Sequence, residues 1–321
     1  MARPRWKALL LGTLVLGLGW SAPARAVPQG GYAHPENLIQ PEELKSRLDS
    51  KESDLRIIDF RHKAKYYLGH LPGAVQVWRP EIESREPPWR RVPASKAQLE
   101  KLLGRLGVGP NTTLVIYSDQ CDHTHFWWHL ASHGFPLDRL KLLDGGFEAW
   151  KSRGYPAQLT SPLPKPATFK FPPEDRKFLS ASLQEVKSAA PSPQESIILD
   201  VRTKEQYLGN LTREGAARRG HIPGAAWVYW QEARVQDGPY KGFLKSAAEL
   251  RQLYAGQGLT PDRHIFIYGH TDPCATFTLT ALYLAGYPLE KLHVYAGSWI
   301  EWSKSGEPVE AGGPPQTPRG Y

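Results

Sequence analysis

The stretch Gly69-His70-Leu71-Pro72-Gly73-Ala74 recurs in nearly the same form as Gly220-His221-Ile222-Pro223-Gly224-Ala225, 151 residues further along the 321-residue chain. Each copy follows a short apolar run that ends in Asp-x-Arg, at Asp59-Phe60-Arg61 and at Asp200-Val201-Arg202. A unit of this length is a duplicated domain, because solenoid repeats have periods of roughly 20 to 50 residues. The sequence therefore predicts two homologous domains.

The later part of each unit repeats as well. Ile116-Tyr117 is matched by Ile267-Tyr268, again 151 residues later, whereas the two Asp-x-Arg segments lie only 141 residues apart. An insertion of ten residues between Tyr207 and Gly220 accounts for the difference. The duplication therefore covers the whole domain.

The pattern within each unit predicts strands alternating with helices. We expect a helix over residues 38–48 with Pro41 near its first turn, a strand from Thr113 to Tyr117, and an aromatic-rich helix after that strand. Capping boxes begin one further helix in each unit, at Ser95 with Gln98 and at Ser246 with Glu249. Such alternation indicates α/β domains, each with a mainly parallel sheet flanked by helices.

The N-terminal residues have the composition of a secretory signal peptide. Three positive charges precede an apolar run from Ala8 to Trp20, and Ala24-Arg25-Ala26 offers small residues for cleavage. The apolar run is shorter than the ~20 residues that span a bilayer, although a retained membrane anchor is the competing interpretation. We therefore expect a periplasmic or secreted protein with no stable membrane anchor after the leader is cleaved.

The chain divides readily once the leader is set apart. About 295 residues remain, which suits two domains of ordinary size. A segment with six prolines separates the two units and is expected to be extended and stiff. The predicted division is a signal peptide at 1–26, a first domain at 27–155, the proline-rich linker at 156–173, a second domain at 174–310 and a C-terminal tail at 311–321.

Net charge argues against a polyanionic partner. The formal charge is +8 for the whole chain and falls to +4 without the four basic residues of the leader. No basic run interleaved with stacking aromatic residues is present, so we expect no nucleic-acid binding.

The ordered set of motifs resembles the rhodanese family. Its features are Asp-x-Arg, Gly-His-[Ile/Leu]-Pro-Gly-Ala, a strand ending in Tyr, a loop running into a helix, and Gly-[Gly/Ser]-aromatic-x-x-Trp, which ends at Trp150 and at Trp302. The resemblance covers nearly all of residues 36–305, in both copies and in order. It implies two tandem rhodanese-like domains.

The resemblance also implies a chemistry. Members of the family move sulfane sulfur from thiosulfate or 3-mercaptopyruvate to a thiol or cyanide acceptor through a cysteine persulfide. The expected partners are a small anionic sulfur donor and a thiol acceptor, with a protein partner as an alternative, and no cofactor is expected. Loop N–H groups and the positive end of the following helix would favour the thiolate and the persulfide anion.

The sequence departs from the family at the nucleophile. Gly269 and Ser118 occupy the two places where the family pattern puts the reactive cysteine. Cys274 is the first alternative, because Asp272-Pro273 predicts an N-cap and first helical residue that would put Cys274 in the first helical turn. A buried packing role for Cys274 is the competing interpretation.

Cys121 is the second alternative. Asp119 and Asp122 flank it and would disfavour its thiolate unless His123 or His125 offsets them. An even number of cysteines in an oxidising compartment also suggests a disulfide between Cys121 and Cys274, either structural or redox-active. A third hypothesis is a catalytically inactive tandem module that binds an anion or a protein partner.

Substrate contacts are predicted around the second loop. The resemblance places Gly269, His270, Thr271 and Asp272 in the anion-binding loop. Arg218 and Arg219, just ahead of Gly220-His221, are candidates for a substitute cationic site, and solvated arginines in an inserted loop are the competing interpretation. A histidine pair at a spacing of two, with one cysteine, is a weak indication of a metal. We therefore expect no metal.

Overall fold

The computed structural model describes residues 30–86 and 90–312. The predicted signal peptide at 1–26 and the tail from residue 313 onward lie outside the described residues.

The first domain is built on a five-stranded parallel sheet. Its strands are β1 (Leu38–Ile39), β2 (Leu55–Asp59), β3 (Val75–Gln76), β6 (Thr113–Tyr117) and β7 (Leu140–Leu143), in the order β1-β7-β6-β2-β3. An antiparallel hairpin of β4 (Glu83–Glu86) and β5 (Arg90–Pro93) lies apart from this sheet. The helices are α1 (Pro41–Asp49), α2 (Lys63–Tyr67), α3 (Lys96–Arg105), α4 (Asp122–Ser132) and α5 (Gly146–Ser152).

The second domain repeats the same topology. Its strands are β8 (Ser180–Ala181), β9 (Ser196–Asp200), β10 (Ala226–Trp227), β11 (His264–Tyr268) and β12 (Leu292–Tyr295), in the order β10-β9-β11-β12-β8. Its helices are α6 (Leu183–Ala189), α7 (Lys204–Tyr207), α8 (Ala247–Ala255), α9 (Pro273–Ala285) and α10 (Ser298–Trp302). The predicted fold class, two α/β domains with parallel sheets, is confirmed.

One predicted element was wrong at its start. Leu38 and Ile39 do not begin a helix but form β1, which pairs in parallel with Leu142 and Leu143 of β7. Pro41 then begins α1, because its missing N–H costs nothing at the first helical position. Both predicted capping boxes are present.

The duplicated Asp-x-Arg segments are buried ion pairs that fix the strand ends. Arg61 donates to Asp59 at 2.6 Å and to the carbonyl of Gly69 at 2.6 Å, which ties the end of β2 to the Gly-His-Leu-Pro-Gly-Ala turn. Arg202 makes the equivalent bonds to Asp200 and Gly220. Each arginine therefore holds a loop at the carboxyl edge of its sheet.

The two domains share one apolar interface, formed mainly where α4 packs against α9. The segment before β1 also crosses to the second domain. Ala33 donates its N–H to the carbonyl of Leu284 at 2.9 Å, and the Tyr32 hydroxyl donates to the carbonyl of Lys245 at 2.9 Å. The proline-rich segment runs back along the first domain, where Ala167 N bonds to Gly104 O at 2.9 Å.

Within residues 30–86 and 90–312, none of the helices combines the length and the apolar character that a bilayer-spanning helix requires.

The start of α5 allows a direct test of this architecture. Gly146 has a positive φ of 59°, and a Cβ there would lie 2.0 Å from the carbonyl oxygen of Ser118. We expect Gly146→Ala to lower the free energy of unfolding by about 3–5 kcal/mol, because alanine is strained at a positive φ and its Cβ would clash with the backbone of Ser118. Gly154→Ala is the matched control, because Gly154 has a φ of 71° with open space around it, and should lose only about 1–2 kcal/mol. Urea denaturation of both variants measures the difference, and equal losses would contradict the close approach.

Candidate functional site

The two cysteines of the chain meet at the domain interface. Cys121 is the N-cap residue of α4 and Cys274 is the second residue of α9, so each lies in the first turn of its helix. Their Sγ atoms are 2.7 Å apart and both are free thiols. The separation is longer than the ~2.05 Å of a disulfide bond, and only a small approach of the two sulfur atoms would form one.

A pair of threonines lies beside the cysteines. Thr124 Oγ1 donates to the carbonyl of Cys121 at 2.7 Å, and Thr276 Oγ1 donates to the carbonyl of Pro273 at 2.7 Å. The two hydroxyl oxygens lie 3.0 Å apart and are buried. The helices therefore approach each other closely at their N-termini, and the positive ends of both helix dipoles point toward the two sulfur atoms.

The two thiols differ in access. Cys121 is 6% exposed, whereas Cys274 is only partly buried. The hydrogen bond to Cys274, together with burial, raises the pKa of the Cys121 thiol well above its usual value. Cys274 is therefore the thiol better placed to meet a substrate, and Cys121 is the neutral neighbour that can donate a hydrogen bond to it.

The loop of the first domain is closed by its own side chains. Ser118 directly follows β6, and its Oγ lies 2.8 Å from His123 Nδ1 and 3.3 Å from the Gln120 N–H. Burial lowers the pKa of His123 to about 3, so this histidine is neutral. The Ser118 hydroxyl and the neutral His123 ring thus satisfy each other within this loop.

A small cavity of about 30 Å³ lies beside this closed loop, with Ser118, His123, Asp144 and Arg234 in its wall. This volume holds about one water molecule. Asp144 accepts hydrogen bonds from the Leu244 N–H at 2.9 Å and from Gln40 Nε2 at 3.0 Å. Burial nevertheless raises the pKa of Asp144 to about 6.

The loop of the second domain faces a much larger cavity of about 710 Å³. Thr271 and Asp272 line it from the loop, and Glu83, Trp128 and His129 line it from the first domain. This cavity is large enough for a small organic substrate. The domains therefore share the walls of the space beside the second loop.

The structure places the predicted residues of the second loop in different surroundings. Thr271 and Asp272 line the large cavity, whereas Gly269 directly follows β11 at the place equivalent to Ser118. His270 Nε2 bonds to the Glu214 carbonyl at 2.9 Å.

Of the two predicted arginines, Arg218 donates to the carbonyls of Ser303 and Trp302 at 2.8 Å and 3.0 Å, and Arg219 is exposed. Arg218 thus holds the end of α10, and substrate binding by the predicted set stays a prediction.

The histidines of α4 have different neighbours. His123 and His125 are two residues apart on α4 and face different partners, Ser118 and Glu83. His129, which the sequence did not single out, lies next to His125, with 3.2 Å between their Nε2 atoms. The spacing of four residues on one helix face was the available signal.

Comparison with known proteins gives matches over most of the chain. Residues 40–153 and 182–305 match the model of the rhodanese-like domain. The "Sulfur carrier protein TtuD" of Thermus thermophilus is 32% identical over 301 residues, covering 88% of this chain and 99% of that protein. The "Thiosulfate sulfurtransferase" of Pseudomonas aeruginosa is 31% identical over 282 residues, covering 85% of this chain and 96% of that protein.

Solved structures share the fold. The anaerobic ergothioneine biosynthesis enzyme from Chlorobium limicola, solved with trimethyl histidine, superposes with a TM-score of 0.76 at 21% identity, covering 88% of this chain and 72% of that one. The structure named YnjE superposes with a TM-score of 0.72 at 23% identity, covering 88% of this chain and 70% of that one.

Burial of Asp144 predicts an unusual pH dependence of stability. Its pKa is about 6 in the folded chain and 3.8 ordinarily, so between these values the folded state holds a proton that the unfolded state has lost. Stability from this group is therefore present below pH 4 and is lost as pH rises through 6. We expect the free energy of unfolding of Asp144→Asn, relative to wild type, to increase by about 2 kcal/mol between pH 4 and pH 7.

Urea denaturation of both proteins at several pH values measures this difference. His123, with its lowered pKa, contributes the opposite slope in wild type and variant alike, so only the difference between the two proteins isolates Asp144. A difference that is constant across the range would show that Asp144 is not desolvated.

Proposed function

Because this chain belongs to the rhodanese-like family, we propose that it is a sulfurtransferase in which Cys274 takes sulfane sulfur from thiosulfate or 3-mercaptopyruvate and passes it to a thiol or cyanide. The observation that carries the proposal is the position of the Cys274 thiol, accessible in the first turn of α9 and 2.7 Å from the Cys121 thiol. Relatives named thiosulfate sulfurtransferase support the reaction class.

The first half-reaction forms a persulfide. The Cys274 thiolate attacks the outer sulfur of thiosulfate, the S–S bond breaks, and sulfite leaves with the bonding electron pair. With 3-mercaptopyruvate the C–S bond breaks instead, and the carbon that loses sulfur takes up a proton to give pyruvate. Cys274 carries one added sulfur in either case.

The second half-reaction returns the thiolate. Cyanide or an external thiol attacks the outer sulfur of the persulfide, and the Cys274 sulfur leaves as thiolate, so atoms and electrons balance without a cofactor. The two converging helix N-termini favour the anionic forms of both the thiolate and the persulfide. The neutral Cys121 thiol, 2.7 Å away, can donate a hydrogen bond to the same anion.

The leader supports an extracytoplasmic site of action. We propose that the chain is exported and cleaved near residue 27. N-terminal sequencing of the protein recovered from its native compartment tests this, and an uncleaved N-terminus would contradict it.

Cysteine variants test the persulfide. After incubation with thiosulfate, intact-mass measurement of the mature protein should show a gain of ~32 Da that cyanide or a reductant reverses. Cys274→Ser should abolish the gain and lower sulfurtransferase activity at least about a hundredfold, since the covalent intermediate cannot form.

Cys121→Ser is the matched control. It alters the other sulfur of the pair and should keep the mass gain. A gain in Cys274→Ser that is lost in Cys121→Ser would transfer the role to Cys121. No gain in wild type with either donor would contradict the proposed sulfur transfer.

A second candidate function is redox chemistry of the same dithiol, which the 2.7 Å separation of the Sγ atoms favours. A disulfide oxidant would accept two electrons and two protons from Cys121 and Cys274 and become two thiols. The pair would also close if the Cys121 thiolate attacked the inner sulfur of a Cys274 persulfide, with hydrosulfide as leaving group. The alternative of a structural disulfide uses the same bond.

Oxidation should change stability measurably. The bond would join residues 153 positions apart, and we expect the oxidised protein to be about 3–5 kcal/mol more stable than the reduced protein, because a long loop is closed in the unfolded chain. Denaturant unfolding of both forms, with a loss of ~2 Da on oxidation, checks this. Cys121→Ser should remove the difference. No mass loss on oxidation would exclude the redox candidate.

A further inference from the structure

Three ligand-type side chains converge between α4 and β4. Glu83 begins β4, and His125 and His129 lie one turn apart on α4, all three buried. One ligand atom from each lies within 4.8 Å of the others. We call this group the Glu83 cluster.

The distances within the Glu83 cluster match those around a metal ion. His125 Nε2 lies 2.9 Å from Glu83 Oε2 and 3.2 Å from His129 Nε2. Ligands ~2.0–2.1 Å from a tetrahedral zinc ion are roughly 3.4 Å apart. These two distances are close to the edge length of such a tetrahedron, and the ligand atoms of Glu83 and His129 lie within 4.8 Å of each other.

A cation can take the place of the hydrogen bonds within the cluster. In a neutral imidazole each ring nitrogen is either a donor or an acceptor. His125 Nε2 faces both Glu83 Oε2 and His129 Nε2, so a single N–H there would be shared between two acceptors. With a cation at the centre, all three atoms instead act as electron-pair donors.

The surroundings suit a metal-bound histidine. His125 Nδ1 is buried without a hydrogen bond and lies 3.8 Å from Asp272 Oδ2. Metal-ligating histidines typically direct the other ring N–H toward a carboxylate. The second oxygen of Glu83, Oε1, lies 3.9 Å from Arg79, which leaves Oε2 directed at the cluster.

We propose that Glu83, His125 and His129 bind one divalent transition-metal ion of the zinc type. Two imidazoles and one carboxylate are a donor set for zinc and its neighbours, and three protein ligands leave one coordination position open. Glu83 and His129 line the large cavity that Thr271 and Asp272 also line, so the open position faces the space beside the second loop. Water or an anion from that cavity would complete the coordination.

The test separates this site from the thiols, because thiolates also bind zinc. Mature Cys121→Ser/Cys274→Ser protein is freed of metal with a chelator and titrated with Zn²⁺ by calorimetry, and with Co²⁺ as a spectroscopic probe. We expect one equivalent of either ion per chain, with ligand-field bands for Co²⁺ and no thiolate charge-transfer band. Absence of binding would overturn the proposal.

Single substitutions identify the ligands. Glu83→Gln and His129→Gln, each made in the cysteine-free background, should weaken Zn²⁺ binding at least tenfold while circular dichroism shows a folded chain. His133→Gln is the matched control, because His133 lies one turn beyond His129 and bonds to Asp175, and it should bind as the background does. Equal affinity in Glu83→Gln, His129→Gln and the background would overturn the assignment. If one ligand variant fails to fold, the other still decides.

Discussion

The packing of α4 against α9 is the contact on which the site depends. Thr124 and Thr276 face each other at 3.0 Å, and this close approach requires side chains no larger than threonine at the crossing. The same contact brings Cys121 and Cys274 together, since Cys121 lies three residues before Thr124 and Cys274 lies two residues before Thr276. Two positions remote in sequence thereby become one dithiol, with two helix N-termini directed at it.

The duplicated domains have diverged in what their loops can hold. The first loop is filled by the Ser118 hydroxyl and His123, beside a cavity with room for one water. The second loop carries Gly269 at the equivalent place and faces about 710 Å³. Each cavity is lined in part by the other domain. Leu244 of the second domain donates its N–H to Asp144 beside the first loop, and Glu83 of the first domain lines the cavity beside the second loop. Substrate access therefore differs between two copies of one topology.

Much of the fold could be predicted from sequence, because the signals are local. Apolar runs, capping boxes and the Asp-x-Arg repeats act within a few residues, and Asp272-Pro273 was enough to place Cys274 in a first helical turn. The two-residue strand β1 at Leu38 could not be predicted in this way, because it is defined only by its pairing with β7.

The site was harder to predict because it is made by contacts between domains. The sequence left the meeting of Cys121 and Cys274 as one alternative among several, and only the helix packing brings the sulfur atoms together. The positive charge of Arg218 suggested an anion-binding site, but its guanidinium group donates to main-chain carbonyls instead. Glu83 and His129 are 46 residues apart and acquire a shared role only in three dimensions.

The most direct test of the account is to locate the transferred sulfur. Wild-type protein is treated with thiosulfate, persulfides and thiols are capped with an alkylating reagent, and the cysteine peptides are compared by mass. If Cys274 is the nucleophile, an alkylated persulfide, ~32 Da heavier than the alkylated thiol, forms on the Cys274 peptide. Added sulfur on the Cys121 peptide alone, or on neither peptide, would contradict it.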